Sequence, residues 1–154
     1  MHKATIALFV TCLALGAAGC APTLRFNQSF LVADDMKISD KGYASLKSTG
    51  ESFDLSPIRA AEGRVDHVVV FKVHGSYLLV GEGFKHLWRL WPGGQDEVHY
   101  QAVDDITAPG SGFSGVALEP AGKCVRFTFT KGASQSQWFV TSGGDHDAKA
   151  CPDA

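Results

Sequence analysis

The chain has no excess of basic residues. Its 14 lysines and arginines are outnumbered by 16 aspartates and glutamates, which gives a formal net charge of −2. Binding to nucleic acid depends on neutralising phosphates with Lys and Arg, so this charge balance argues against a nucleic-acid partner and against attraction to anionic headgroups. The apolar fraction of 45% and the charged fraction of 19% are typical of a globular protein rather than a disordered one.

Common catalytic and cofactor motifs are also missing. A Gly-x-Ser-x-Gly elbow is absent, since Gly112-Phe113-Ser114-Gly115 has its second glycine one position early. There is no His-Glu-x-x-His pattern and no Cys-x-x-Cys pair. Gly81-Glu82-Gly83 lacks the later glycine of a phosphate cradle and is interpreted as a hairpin turn. We therefore expect a protein that is not an enzyme and that holds no cofactor.

No apolar run is long enough to cross a membrane as a helix, which takes about 20 residues. The run at Ala4–Leu15 has twelve residues, and it is interrupted by Thr5 and Thr11. Lys3 precedes it, and small residues follow it up to Cys20. A positive start, an apolar stretch and then small residues are the layout of a secretory signal peptide.

The cysteine directly after the small residues makes this segment resemble the signal of bacterial lipoproteins. The resemblance rests on Ala17-Ala18-Gly19-Cys20, with Ala17 where that family usually has leucine. It implies cleavage before Cys20 and fatty acyl chains on that residue, which would be a membrane anchor; several chains hold firmly where one binds marginally. Ala21 is not the aspartate that often retains such proteins at the inner membrane, so an outer-membrane lipoprotein facing the periplasm is implied. An ordinary cleaved signal is the alternative.

Two of the four cysteines remain for the fold. Cys12 leaves with the signal and Cys20 takes the lipid, so Cys124 and Cys151 remain in a compartment that permits disulfides. A bond between them closes a loop of about 27 residues, which the chain-entropy model values at roughly 3 kcal/mol. The alternative is two free thiols, which are a liability outside the cytosol.

The mature chain is predicted to be all-β. Turn residues every eight to twelve positions separate seven to nine short strands, a pattern typical of an antiparallel sandwich or small barrel. The clearest alternation places Val125, Phe127 and Phe129 inward. The predicted organisation is a signal peptide at 1–19, the lipidated cysteine and a tether at 20–24, a β-domain at 25–142 and a polar tail at 143–154 pinned by the disulfide.

Some segments carry more local predictions. Ser56–Gly63 is predicted as a helix of at most two turns, with Ser56 as its cap, Pro57 at the first helical position and Gly63 closing it. Phe84–Trp91 fits either a strand or a short helix, and its length and aromatic content favour the strand. Further predictions are a first strand at Arg25–Val32, a polar link at Ala33–Gly42 and a turn at Glu119–Gly122.

The histidines allow one metal hypothesis. If the turn at Trp91–Gly94 has a two-residue loop, His86 and His99 face each other across a hairpin and can share a metal. A longer loop destroys that register, and the sequence supplies no obvious third ligand. Scattered surface histidines are the preferred interpretation, so no metal site is predicted.

Two aromatic residues suggest a contact surface. Most of the aromatic side chains should lie in the core, but Trp91 and Phe113 stand close to turns. With Ser111 and Gly112 they form the predicted contact patch, because aromatics are enriched at the centres of interfaces.

These observations leave three functional hypotheses. The favoured one is a non-enzymatic envelope lipoprotein whose β-domain binds a protein or other macromolecule at the periplasmic face. A second is an inhibitor of a wall-cleaving enzyme, since periplasmic lysozyme-inhibitor lipoproteins share the small size, β-barrel and disulfide. Their Ser-Gly-x-x-Tyr hallmark is matched here only by Ser111 and Gly112, with Gly115 in the place of Tyr. The third is a histidine-based metal-binding protein or hydrolase.

Overall fold

A computed structural model describes residues 34–38, 42–46, 51–63, 68–73, 75–94 and 97–152, with the backbone alone described for 34–38. Cys20, the signal segment and the strand predicted at Arg25–Val32 lie outside these ranges. Within them the chain forms eleven strands and one helix: β1 (Asp34–Ile38), β2 (Tyr43–Leu46), β3 (Ser52–Asp54), α1 (Ser56–Glu62), β4 (Val68–Val73), β5 (Ser76–Gly81), β6 (Trp88–Pro92), β7 (Val98–Ala102), β8 (Ser114–Ala121), β9 (Cys124–Lys131), β10 (Ser134–Val140) and β11 (His146–Asp147).

The strands form two antiparallel sheets that stack on each other. The larger has the order β3-β2-β1-β4-β5-β6-β7, and the smaller has the order β11-β10-β9-β8. The sheets meet where β4 and β5 pack against β8 and β9. The all-β prediction is confirmed in its sandwich form, with more strands than the seven to nine predicted because short pairings such as β1 and β11 leave little trace in the sequence.

Strand register sorts the side chains of the larger sheet onto two faces, because directly opposite residues in antiparallel strands share a face. Lys72 pairs with Tyr77, Tyr77 with Leu90, and Leu90 with Tyr100, so these four lie on one face. Glu51 and Asp54, from the segment that contains β3 and α1, contact this face at Tyr77 and Tyr100. The opposite face holds the row Phe71, Leu78, Arg89 and Gln101.

The smaller sheet places aromatic side chains between the two layers. Val125, Phe127 and Phe129 on β9 are buried, as the alternation predicted. Phe113 joins Phe127 and Phe129 with ring centroids 5.0 and 4.7 Å away, in edge-to-face contacts. Burying each such ring contributes about 1.5–3 kcal/mol, so this cluster accounts for much of the attraction between the sheets.

The helix forms where predicted, but its start differs in detail. Leu55 occupies the N-cap position, and proline stands in the first turn as expected. The Asp54 carboxylate accepts hydrogen bonds from both the backbone N–H (2.8 Å) and the hydroxyl (2.6 Å) of Ser56. Gly63 has φ +82° and its N–H donates to the Arg59 carbonyl at 2.9 Å, so it ends the helix as predicted.

Three segment predictions need correction. The polar link at Ala33–Gly42 contains β1, which is a strand because its backbone pairs with β2 on one side and β4 on the other. The turn at Glu119–Gly122 is mostly strand, since β8 continues to Ala121 and its proline is tolerated on an edge strand. Within Phe84–Trp91, the strand begins only at Trp88; the residues before it form turns whose apolar side chains are buried.

Candidate binding site beside strands β6 and β7

An open cleft of about 190 Å³ lies beside β6 and β7, where the C-terminal hairpin packs over the larger sheet. Its lining is mainly polar and comes from three separate stretches of sequence: Arg89, Gln101, Ala102, Val103, Asp104, Gly143, Gly144, Asp145 and His146. The cleft is large enough for the end of one side chain or a small polar ligand.

Arg89 lines this cleft and is held in place by two contacts. Its Nε donates a hydrogen bond of 2.7 Å to the Ser142 carbonyl. Its guanidinium carbon stands 4.4 Å from the centroid of the Trp91 ring, within the range of a cation–π contact. Burial lowers the pKa of Arg89, while the charge of Asp145 acts in the opposite direction. An arginine remains charged at neutral pH despite such shifts.

The hairpin between β10 and β11 forms the opposite wall. Its backbone is closed by hydrogen bonds from the Thr141 N–H to the Asp145 carbonyl (2.8 Å) and from the Gly144 N–H to the Thr141 carbonyl (3.1 Å). The Ser76 hydroxyl on β5 also donates to the Ser142 carbonyl, at 2.9 Å. The Ser142 carbonyl therefore joins the hairpin to both β5 and β6.

One buried polar atom next to this wall has no hydrogen-bond partner among the described residues. It is the hydroxyl of Thr141, a residue that is 6% exposed. A Cβ placed on Gly143, which lines the cleft, would lie 3.5 Å from this hydroxyl. Buried hydroxyls normally have a partner, so this one is an exception among the described residues.

The charges around the cleft favour a cation. Asp104 and Asp145 are exposed carboxylates in the lining, and Arg89 is the one permanently charged cation there. His146 is turned to other partners: its Nδ1 lies 3.0 Å from the Gly144 carbonyl, and its ring packs against Trp138. The lining thus contains two carboxylates and one guanidinium.

Trp91 and His99 extend the site along the sheet surface. They are paired across β6 and β7, with ring centroids 5.3 Å apart. Trp91 is half-buried and His99 is exposed. Trp91, which belongs to the predicted contact patch, therefore does lie at the surface beside the cleft.

The remainder of the predicted contact patch does not form. Phe113 is only 1% exposed, because its ring enters the aromatic cluster between the sheets. Gly112 is buried against Gly83, and Ser111 is exposed in the loop before it. Ser111 and Gly112 are also the two residues that match the lysozyme-inhibitor hallmark. Of these two, only Ser111 is exposed at the surface.

The hairpin register required for the histidine metal site is not the one observed. The loop is closed by a hydrogen bond of 2.7 Å from the Gly93 N–H to the Glu97 carbonyl, so it is longer than two residues. His99 consequently faces Trp91, while His86 precedes β6. In the described ranges, no three His, Cys, Asp or Glu side chains are grouped so that they could hold a metal ion.

His86 instead forms a dyad with a carboxylate of α1. The Glu62 side chain is fully buried, although its backbone is partly exposed. Its Oε1 lies 2.7 Å from His86 Nδ1 and accepts a hydrogen bond from Trp88 Nε1 (2.8 Å), and its Oε2 accepts one from the backbone N–H of Lys85 (2.6 Å). The arrangement anchors the end of α1 to the residues before β6.

A buried charge pair lies on the face of the larger sheet opposite the cleft. Lys72 Nζ is 3.4 Å from Glu51 Oε1, and the Tyr77 hydroxyl is 3.3 Å from the same oxygen. Lys72 is fully buried and Glu51 is 2% exposed. These contacts hold the three side chains together in the interior of the fold.

Arg89 is not marked as a site residue by any motif in the sequence, and Asp104 and Asp145 are expected from the sequence to be solvated carboxylates. Arg89 alternates with Trp88 and Leu90 on β6, which is a signal for an outward-facing polar residue. The partners that make it part of a site are Asp104 and Asp145, and no local pattern connects these distant positions.

Comparison with known proteins gives no relative: no family model matches the chain, and no curated protein or solved structure shows significant similarity to it. In the part of the chain that is described, no helix has the length and apolar character needed for a membrane span.

Proposed function

We propose that this protein is a non-enzymatic envelope lipoprotein that binds a protein partner at the periplasmic face through the cleft at Arg89. The single observation that supports this most is the cleft itself, with Trp91 and His99 beside it on the same face of the sheet. An arginine stacked on a tryptophan at an open polar cleft combines the two residue types most enriched at binding hot spots. The location in the envelope rests on the resemblance of Ala17–Cys20 to a lipoprotein signal.

The binding surface can be tested by photo-crosslinking in cells of the source organism. A photoreactive amino acid placed at Gln101, in the cleft lining, is expected to capture a discrete partner. The same amino acid at Gln137, exposed on β10 of the other sheet, is the matched control and should capture none or different proteins. Trp91→Ala in the Gln101 background should weaken the crosslink about tenfold. Identical crosslinks from both positions would contradict the proposal.

The anchor needs a separate experiment. Cells grown with labelled palmitate should incorporate the label into the wild-type protein and not into the Cys20→Ala variant. The wild-type protein should fractionate with outer membranes. Absence of label from the wild-type protein would refute the lipoprotein part of the proposal and leave the binding surface untouched.

A further inference from the structure

We propose that the partner contributes an extended segment that adds to the larger sheet as a strand alongside β7, with a lysine or arginine side chain in the cleft. This inference rests on the proposed function and specifies the class of partner that the same site recognises. Four observations support it. They are the backbone groups of β7 that point away from β6, the side chains of β7 that face the cleft, the charge of the cleft lining, and the absence from β7 of residues that block strand addition.

The hydrogen-bond phase shows which backbone groups of β7 are free to pair. The Val103 N–H donates to the Leu87 carbonyl at 2.7 Å, and the Gly93 N–H donates to the Glu97 carbonyl at 2.7 Å. Odd-numbered residues of this segment are therefore the ones bonded to β6, since hydrogen-bonded pairs alternate along an antiparallel ladder. The N–H and C=O groups of Val98, Tyr100 and Ala102 point to the outer edge.

Nothing in the described part of the chain pairs with that edge. β7 ends the order of the larger sheet, and its only described strand partner is β6. An unpaired strand edge is the site at which proteins accept an added strand from a partner.

The edge of β7 also lacks the devices by which proteins usually block strand addition. Its sequence, Val98-His99-Tyr100-Gln101-Ala102, contains no Lys, Glu, Asp or Pro. The edge strand β8 provides the contrast. It has an irregularity between Ser114 and Ala117, and the Glu82 carboxylate accepts the N–H groups of Gly115 and Val116, both at 3.2 Å. β8 is therefore protected near Gly115, whereas no described segment covers the outer edge of β7.

Side-chain parity directs one residue of the added strand into the cleft. A residue placed opposite Gln101 lies on the same face as Gln101, which is the face that carries Arg89 and the cleft. Residues two positions away on the added strand lie beside His99 and Trp91. The cleft therefore receives the side chain of one central residue of the added strand. The residue two positions away can contact the aromatic rings of His99 and Trp91.

The charge of the lining favours a basic central residue. Asp104 and Asp145 border the cleft, and the Nε of Arg89 is already bonded to the Ser142 carbonyl. A lysine or arginine entering here meets two carboxylates against the one guanidinium of Arg89, whereas a glutamate meets two like charges and one opposite charge. Charge complementarity of this kind determines specificity at interface rims.

The test uses the mature chain, residues 20–154 with Cys20→Ala, and three blocked peptides of sequence Thr-Val-Thr-Xaa-Thr-Val-Thr in which Xaa is Lys, Ala or Glu. Titrations followed by NMR should shift the amide signals of β7, with the Lys peptide binding about tenfold more tightly than the Glu peptide. The Lys peptide should slow hydrogen exchange at Val98, Tyr100 and Ala102. The amides of His99 and Gln101 should already be protected without peptide.

Two variants separate strand addition from other modes of binding. Ala102→Pro removes an outward N–H and should weaken the Lys peptide about tenfold, while Ala102→Ser keeps the N–H and should bind normally. The thermal midpoint and near-ultraviolet spectrum show whether each variant is folded. Should Ala102→Pro not fold, the double change Asp104→Asn and Asp145→Asn must abolish the preference for Lys over Glu, with Glu119→Gln on β8 as control.

Several results would overturn the inference. The first is equal binding of the Lys peptide by the Ala102→Pro and Ala102→Ser variants, and the second is equal affinity for the Lys and Glu peptides. The third is protection of the outward amides from exchange before peptide is added, which would show that another segment of this chain occupies the edge. A concentration-dependent dimer through β7 would assign the edge to a second copy. Crosslinks from Gln101 that persist in Ala102→Pro would refute strand addition and leave the proposed function standing.

Discussion

Gly112 determines how closely two loops at one end of the sandwich approach each other. It has φ +86°, and a Cβ built on it would overlap the carbonyl of Gly83. The contact is fastened by hydrogen bonds of 2.7 Å from the Phe113 N–H to the Phe84 carbonyl and from the Gly83 N–H to the Phe113 carbonyl. The same two hydrogen bonds hold Phe113 where its side chain is buried in the core, so this side chain does not form a surface contact.

Replacing Gly112 with alanine should therefore lower the free energy of unfolding by about 2–4 kcal/mol, from backbone strain and from the forced separation of the loops. Urea denaturation measures the change. Gly122→Ala is the matched control: its φ is +65°, but no atom lies within 4 Å of the added Cβ, so a loss of about 1 kcal/mol is expected. Equal losses in the two variants would contradict the close approach at Gly83.

The buried pair of Glu51 and Lys72 gives a second prediction for single residues. Glu51→Gln removes the Glu51 carboxylate from beside the fully buried Lys72 ammonium and should destabilise the protein by about 3–5 kcal/mol. The double variant Glu51→Leu with Lys72→Met removes both charges and should lose clearly less, because no isolated charge remains in the core. Urea denaturation of the two variants makes the comparison. A double variant that is less stable than Glu51→Gln would show that the pair itself stabilises the fold.

Among the elements, β7 is tied to the segment before α1 by one side chain. The Tyr100 hydroxyl donates a hydrogen bond of 2.8 Å to the Asp54 carbonyl, and Asp54 in turn supports the start of α1 through Ser56. Burial, followed by the charge of Asp54, raises the pKa of Tyr100 to about 12. The edge strand thus depends on a neutral tyrosine for one of its attachments.

This raised pKa sets a direction for the pH dependence of stability. The folded protein holds the Tyr100 proton more tightly than the unfolded chain, whose tyrosine pKa is about 10. The stabilisation is complete below pH 10 and is lost as the pH rises towards 12. Tyr100→Phe should remove one tyrosine from the absorbance titration near pH 12 and flatten the fall in stability between pH 10 and 12. A wild-type protein in which every tyrosine titrates near pH 10 would contradict this prediction.

On the scale of the whole molecule, the C-terminal residues are part of the fold rather than a polar tail. β11 pairs with β10, and Cys151 is bonded to Cys124 at the start of β9, which confirms the predicted disulfide. The hairpin that precedes β11 forms one wall of the cleft. The disulfide therefore restrains the segment on which the proposed binding site depends.

Removing this bond with Cys124→Ala and Cys151→Ala should lower the free energy of unfolding by about 3 kcal/mol, since a separation of 27 residues is released in the unfolded chain. Hydrogen exchange at the Thr141 and Gly144 amides, which close the hairpin, should become faster. The amides of β5, in the middle of the larger sheet, are the internal control. Unchanged exchange at the hairpin would mean that the hydrogen bonds from Ser76 and Arg89 to the Ser142 carbonyl suffice to keep the hairpin in place.

The general class of the fold could be predicted from local pattern, but the binding site could not. Val125, Phe127 and Phe129 alternate strictly, and alternation alone determines that one face of β9 is buried. The hypothesis of a metal shared by His86 and His99 failed because it depended on a two-residue loop between β6 and β7. The observed loop is longer, and its register places Trp91, and not His86, opposite His99. The strand β1 was missed because its pairing partners, rather than its own residues, stabilise it.

The sequence by itself determined that the described chain is β-rich, that Ser56–Glu62 is helical and that Cys124 and Cys151 are available to pair. Those features follow from side-chain period, proline and glycine geometry and the count of cysteines. Only the tertiary structure decided that Arg89, Asp104 and Asp145 line one cleft and that, among the described strands, β7 has a neighbour on one side only. Both depend on contacts between segments far apart in the chain, because strand order and register are fixed by burial and backbone pairing between those segments.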